Sequence, residues 1–253
     1  MSELSITSAL KDAFKFPFES EDGRSRFLIG SLISLANLIL PIVPAIFVYG
    51  YVISVMRQVI NGEKPHMPAW NDWGKFGLDG LKALLVGLVY MLPATIISAG
   101  GWVLYTVLYT SGVVITTSNS SEWMGVVLMF SAMVILFLSL GIGMFFNILG
   151  GIPLPVALSH WVAQDRLSAA FNFKTTWQTI KADKWGYFIT WGVILGVGTL
   201  LYLVCIMFYY TIILCFLTFI LMIPAGFYLM LVALALFGQF YRDNKPMEDQ
   251  AAG

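Results

Sequence analysis

The chain has 253 residues, of which 58% are hydrophobic and only 11% charged, and its formal net charge is zero. Ordinary soluble domains carry roughly 45–50% apolar and about 25% charged residues. A water-soluble core of this size cannot hide so much apolar surface, so lipid must solvate part of it, and the zero charge balance gives no reason to expect a nucleic-acid partner.

The first apolar block opens at Phe27, behind Lys11, Asp12, Lys15, Glu19, Glu21, Asp22, Arg24 and Arg26. That mixed-sign stretch lacks the pattern of a secretory leader, so the chain is expected to insert through its own first spans. Within it, Leu10, Phe14 and Pro17 fall on one side of a helix, with Lys11, Asp12 and Lys15 turned away. Such a helix lies in the headgroup region or packs on the inner ends of the bundle. The stretch Phe27–Val59 is too long for one crossing and short for two, and Pro41 and Pro44 break it. It predicts a helical hairpin, spanning or re-entrant. Trp70 and Trp73 then mark an interface, and Asn71 or Asp72 can cap the following helix. Four further stretches, 79–101, 124–149, 185–207 and 212–240, each suffice to cross a bilayer, with a loop at 110–122 and a turn at 208–211. Ahead of the last pair, Leu167, Ala170 and Phe171, followed by Lys174 and Lys181, predict a second interfacial helix.

All fourteen Lys and Arg residues fall within 11–26, 57–82, 166–184 and 242–245. If 27–59 is a hairpin, every one of these clusters lies on the same side, and short basic flanks stay cytoplasmic. The predicted fold is therefore all-α: a polytopic transmembrane bundle of three helical hairpins (six segments), with interfacial amphipathic helices and both termini in the cytoplasm. It forms one membrane domain in the cell (inner or plasma) membrane, with units at 8–65, 70–150 and 155–246. Trp70, Trp73, Trp161, Trp177 and Trp185 are expected as anchors at the inner interface, where indoles are both wetted and apolar.

Internal similarity suggests a repeat. Pro44 and Pro224 each sit in a Pro-Ala pair that opens a helix, those helices end toward Pro65 and Pro246, and Ala13–Phe16 matches Ala170–Phe173. Chance similarity in apolar sequence is the rival reading. Further along, Pro68-x-Trp70-x-Asp72-Trp73, then Asp79-Gly80-Leu81, then Tyr90-x-x-Pro93 resembles a family of prokaryotic polytopic membrane proteins catalogued as a domain of unknown function. The resemblance covers most of 8–95 and 155–245. It implies a multi-spanning membrane protein and carries no activity.

Small residues recur at packing intervals: Gly80, Gly87, Ala94 and Gly101 every seventh position, Ser139, Gly143 and Asn147 every fourth, and Gly192 with Gly196. Such stripes let helix backbones approach, within one chain or between two copies. Asn147 and Gln239 are the candidates for a polar groove, facing each other or bonding locally. His66 and His160, both expected at the cytoplasmic edge, form no metal-ligand spacing, and no nucleophile or phosphate-binding motif occurs. No catalytic, cofactor-binding or metal residues are therefore expected. Cys205 and Cys215 flank the 208–211 turn as free thiols or as a bridge. Two functions remain open: a non-catalytic accessory or scaffold subunit binding other integral membrane proteins and lipids (homo-oligomers included), or a transporter or lipid-handling protein with a cleft between repeated hairpins.

Overall fold

Apolar runs and capping side chains organise the chain into helices. The structure, a computed structural model, describes residues 10–118, 121–210 and 215–245, with the side chains of residues 215, 216 and 219 outside that description. In chain order the α-helices are α1 (Glu21–Ala36), α2 (Val43–Ile60), α3 (Trp73–Thr117), α4 (Glu122–Gly151), α5 (Leu154–Gln164), α6 (Phe173–Ala182), α7 (Lys184–Tyr209) and α8 (Cys215–Asp243). Four of them, α1, α3, α6 and α7, start at short polar side chains that accept otherwise unbonded amide protons. Ser20 Oγ accepts from Gly23 N, Asp72 Oδ1 from Lys75 N, Asn172 Oδ1 from Thr175 N and Asp183 Oδ1 from Gly186 N. Each such cap is worth about 1 kcal/mol.

Five helical stretches are long and apolar enough to cross a membrane: α2, α3, α4 together with α5, α7, and α8 from Ile220 onward. The chain is an all-α membrane protein. Helix α1, at 16 residues, is not among the five.

Helix α3 is the main departure from the sequence reading. It runs unbroken for 45 residues with Pro93 inside it, about 67 Å at 1.5 Å per residue. Most of the loop expected at 110–122 is therefore helix. The hydroxyls of this stretch bond back along the helix: Thr106 to the Trp102 carbonyl, Thr110 to Thr106, Thr116 to Gly112 and Thr117 to Val113. Bonded this way, a threonine asks nothing of its surroundings. Residues 119–120 of the expected loop, residue 211 of the expected turn and the unit endpoints 8 and 246 lie outside the described residues.

The chain divides into two compact units, 1–86 with 155–253, and 87–154. At the centre of the first, α2 and α8 run parallel. Tyr51 meets Phe227 with ring centroids 6.2 Å apart, and a Cβ placed on Gly238 would meet the Met56 carbonyl at 3.3 Å. Further along in the same direction, Arg242 Nη1 donates to the Val59 carbonyl at 3.4 Å. Helix α1 packs beside them through Phe27 stacked on Phe227 at 5.6 Å, and α7 through Tyr187 and Trp191 on Phe237. The stretch before α1 packs on the bundle: Ala13, Phe16 and Pro17 are buried, and Tyr228 Oη donates to the Phe14 carbonyl at 3.0 Å. Pro224 lies inside α8, not at a helix opening, whereas Pro44 does sit in the first turn of α2.

In the second unit, the α3 stretch from Gly87 and helix α4 form an antiparallel pair. Gly101 faces Ser139, Gly143 faces Ser98 and the Ala94 carbonyl, and Gly112 faces Gly125. Ala94 and Gly101 of the first small-residue stripe thus lie against Gly143 and Ser139 of the second.

Candidate functional site

Polar chemistry in the first unit gathers where α2 ends and α3 begins. Arg57, on the last turn of α2, places Nη2 3.1 Å from Asp79 Oδ2 and Nη1 3.7 Å from Asp165 Oδ1. The Asp79 side chain is only 7% exposed and Asp165 is largely solvated. Charges taken out of water hold a structure together only when paired and further hydrogen-bonded. This pair therefore fastens α2 to the start of α3 and to the residue that follows α5. Arg57 Nε, also buried, has no hydrogen-bond partner among the described residues.

Beside this ion pair lies a polar pocket of about 430 Å³ lined in part by Arg26, Arg57, Gln58, His66, Asp72 and Lys75. The connection from α2 to α3 forms its rim and is pinned at several points. Tyr51 Oη donates to the Pro68 carbonyl at 2.8 Å, His66 N to Gln58 Oε1 at 3.1 Å, and Arg26 Nη1 to the Met67 carbonyl at 2.6 Å. Trp70 stacks on Tyr51 with centroids 3.9 Å apart and 6° between planes, while its Nε1 donates to the Arg26 carbonyl at 2.9 Å. Its neighbour Trp73, 5.5 Å away, is exposed.

A second polar pair is fully enclosed. His160 Nδ1 and Tyr241 Oη lie 2.6 Å apart, joining α5 to α8, and both residues are buried. Every residue from Pro155 to Val162 is buried. That corrects one expectation: Trp161 is not an interfacial anchor but a core side chain with no exposed surface, and His160 beside it is enclosed by protein. The signal was present in its length, because an apolar helix of 10–14 residues is too short to span and is usually enclosed by protein.

The remaining expected residues fall as follows. Trp177 and Trp185 are exposed, and Lys181 Nζ lies 5.8 Å from the Trp177 ring centre. Gly80 packs against the Ile46 carbonyl, and Ala94, Gly101, Ser139 and Gly143 form the contacts within the second unit. Gly87, Gly192 and Gly196 have nothing within 4 Å of an added Cβ among the described residues, so none of them is held by a close approach on that side. Gln239 is buried, with Oε1 lacking a hydrogen-bond partner among the described residues, and Asn147 is exposed. Cys205 is a free, buried thiol. Sequence reasoning missed the Arg57–Asp79 pair, because partners 22 positions apart on different helices leave no local trace.

In the second unit, a groove of about 590 Å³ runs between the two helices, with Thr95 and Ala99 on one wall, Leu140, Met144 and Asn147 on the other, and Ala94 and Gly143 between. Residues 33–210 match the family described as "Protein of unknown function (DUF4013)". The chain belongs to that family. The match runs through 96–150, which the motif resemblance had left out, and it stops before α8. It takes in Arg57, Asp79 and both walls of the groove, so the Arg57–Asp79 ion pair lies within the matched residues and Tyr241 does not. Neither a curated protein nor a solved structure matches the chain.

Proposed function

We propose that the protein is a non-catalytic accessory or scaffold subunit of a larger membrane complex, seated in the cell membrane with both ends in the cytoplasm. The groove between α3 and α4 carries this reading. Its lining mixes small residues, among them Ala94, Ala99 and Gly143, with the larger Trp102, Leu140 and Met144, and the amide of Asn147 is exposed. Between helices in lipid, small residues permit close approach and a side-chain amide supplies a hydrogen bond that lipid cannot. A transmembrane helix of another protein suits such a surface. The orientation rests on the basic residues: Arg26, Arg57 and Lys75 line one pocket at one end of the first unit.

The alternative, a transporter or lipid-handling protein, needs a cleft between repeated hairpins. The parallel course of α2 and α8 supports a repeat related by an axis along the membrane normal, as in other parallel repeats. Yet those two helices are in direct contact at Gly238, which leaves no cleft between them. The apolar recess between α7 and α8, near Gly198 and Gly226, holds only about 170 Å³, below the roughly 300–1,000 Å³ of small-molecule sites.

Purification in mild detergent followed by mass spectrometry tests the reading, with Ala99→Phe and Asn147→Leu as comparisons. Integral membrane proteins should travel with the wild-type chain in fixed ratio and be lost from both variants, whose melting temperatures stay unchanged. Retention of the same proteins by both variants sinks the groove as the binding surface, and lipid alone travelling with the wild type favours the alternative.

A further inference from the structure

The α1–α2 hairpin ends in a tip with nothing to offer water. Residues 37–44 read Asn-Leu-Ile-Leu-Pro-Ile-Val-Pro, and Leu38, Ile39, Leu40, Ile42 and Val43 are all exposed, Ile39 at 83%. No charge, Tyr or Trp occurs from Phe27 to Val48. The tip of the α7–α8 hairpin differs: Tyr209 and Tyr210 are exposed there, Tyr210 at 82%, which suits an interface.

The hairpin is also short. Its charged end is set by Arg26 and Arg57, which line the same pocket. From there the apolar part of α1, Phe27–Ala36, rises about 15 Å, and that of α2, from Met56 back to Pro44, about 20 Å, at 1.5 Å per residue. The hydrocarbon core is about 30 Å thick. By length and composition alone α2 qualifies as a span, but that length includes Arg57 and the turn beyond it. The packing register agrees. Eight residues back from Tyr51 bring α2 to its start at Val43, while eight back from Phe227 leave α8 with about another turn before Cys215.

Backbone ending within lipid must bond internally. Here the amides of Asn37, Leu38, Ile39 and Leu40 donate to the carbonyls of Ser34, Leu35, Ala36 and Ala36 at 2.9–3.2 Å, and Pro41 and Pro44 have no amide proton at all, so that only the amides of Ile42, Val43 and Ala45 in this stretch lack a backbone acceptor among the described residues. The one polar side chain, Asn37, donates its Nδ2 to the Ser34 carbonyl at 3.1 Å. Ile42 closes the reversal at φ 80° and ψ −54°, a conformation that a β-branched residue holds only under constraint. We infer that α1–α2 is a re-entrant hairpin: it enters from the charged side, and its tip at residues 38–43 ends among lipid acyl chains without reaching the far surface.

Single cysteines at Ile39 and Leu40, in the full chain with Cys205 and Cys215 replaced by Ala, test this. An impermeant maleimide is applied to intact cells and to inverted vesicles, with Ser118→Cys and Glu63→Cys as positive controls for the two faces. A spin label at position 39 reports the medium, by relaxation with oxygen against a water-soluble nickel chelate. The tip positions should resist the maleimide from both sides and the spin label should relax with oxygen. Labelling of position 39 or 40 from either side, or relaxation by the nickel chelate, overturns the inference. Resistance from both sides does not depend on which end faces the cytoplasm or on any partner, so this result stands apart from the scaffold reading.

Discussion

Arg57 and Asp79 illustrate how one residue can matter more than its position in sequence suggests. Removing Asp79 leaves a partly buried guanidinium with only the solvated Asp165, 3.7 Å away, as its ionic partner among the described residues. Loss of one partner from a buried pair costs roughly 3–5 kcal/mol, less here because Arg57 keeps some contact with water. Asp79→Ala should therefore lower the melting temperature in detergent sharply, and Arg57→Met with Asp79→Leu should recover most of the loss. Equal losses in the single and double variants would mean that the pair is not what fastens α2 to α3. Glycines divide in the same way. Gly50 and Gly80 face the carbonyls of Phe76 and Ile46, backbone atoms that cannot move aside, whereas Gly192 and Gly196 face open space. Gly80→Ala should destabilise, while Gly192→Ala and Gly196→Ala should be neutral or stabilise by up to about 1 kcal/mol each through helix propensity. Thermal melts of the three variants check this, and a large loss at Gly192 or Gly196 would indicate a contact outside the single chain. Spacing reveals that glycines form a stripe; only the neighbouring helix reveals which of them lie against something.

At the scale of elements, much of the helix pattern was legible. Asp72 caps α3 as its position suggested, the prolines at 41 and 44 do reverse the chain, and the apolar stretches are helices. What was not legible is what surrounds each element. Trp161 and Trp70 carry the same residue type as Trp73 and Trp185, and an indole marks an interface only where its helix faces one. Trp70 instead stacks on Tyr51 and bonds to the Arg26 carbonyl. Aromatic stacking contributes about 0.5–1.5 kcal/mol beyond burial. Trp70→Leu should then cost clearly more stability than Trp73→Leu, as read by melting temperature in detergent. The reverse order would return Trp70 to the role of a surface anchor. Similarly, residues 110–117 of the expected 110–122 loop are helix, where the threonine hydroxyls bond back along their own turn and so need no partner outside it.

For the whole molecule, the one-sided distribution of Lys and Arg predicts that the α3–α4 connection faces outward. A cysteine at Ser118 should react with impermeant maleimide in intact cells, and one at Glu63 only after lysis. Reaction at Ser118 only after lysis would refute the cytoplasmic placement of the termini. The family match adds nothing to this, since it concerns sequence and not sidedness.

The pairing of α2 with α8 has a consequence for biosynthesis. Tyr228 holds the Phe14 carbonyl, and Phe227 receives Phe27 and Tyr51, so the N-terminal hairpin gains its main partner only when α8 emerges. At about 5–20 residues per second, translation takes roughly 10–40 s to travel from the end of α2 to the end of α8. For that time a short, apolar hairpin sits in the bilayer without its mate, and His160 of α5 lacks its partner Tyr241. Nascent chains halted before α8 should therefore be cleared by membrane proteases faster than the full chain, a difference that pulse-chase labelling of a chain ending at Tyr209 would reveal. Co-expression of α8 as a separate segment should slow that clearance, because the missing partner would then arrive from outside the ribosome's queue.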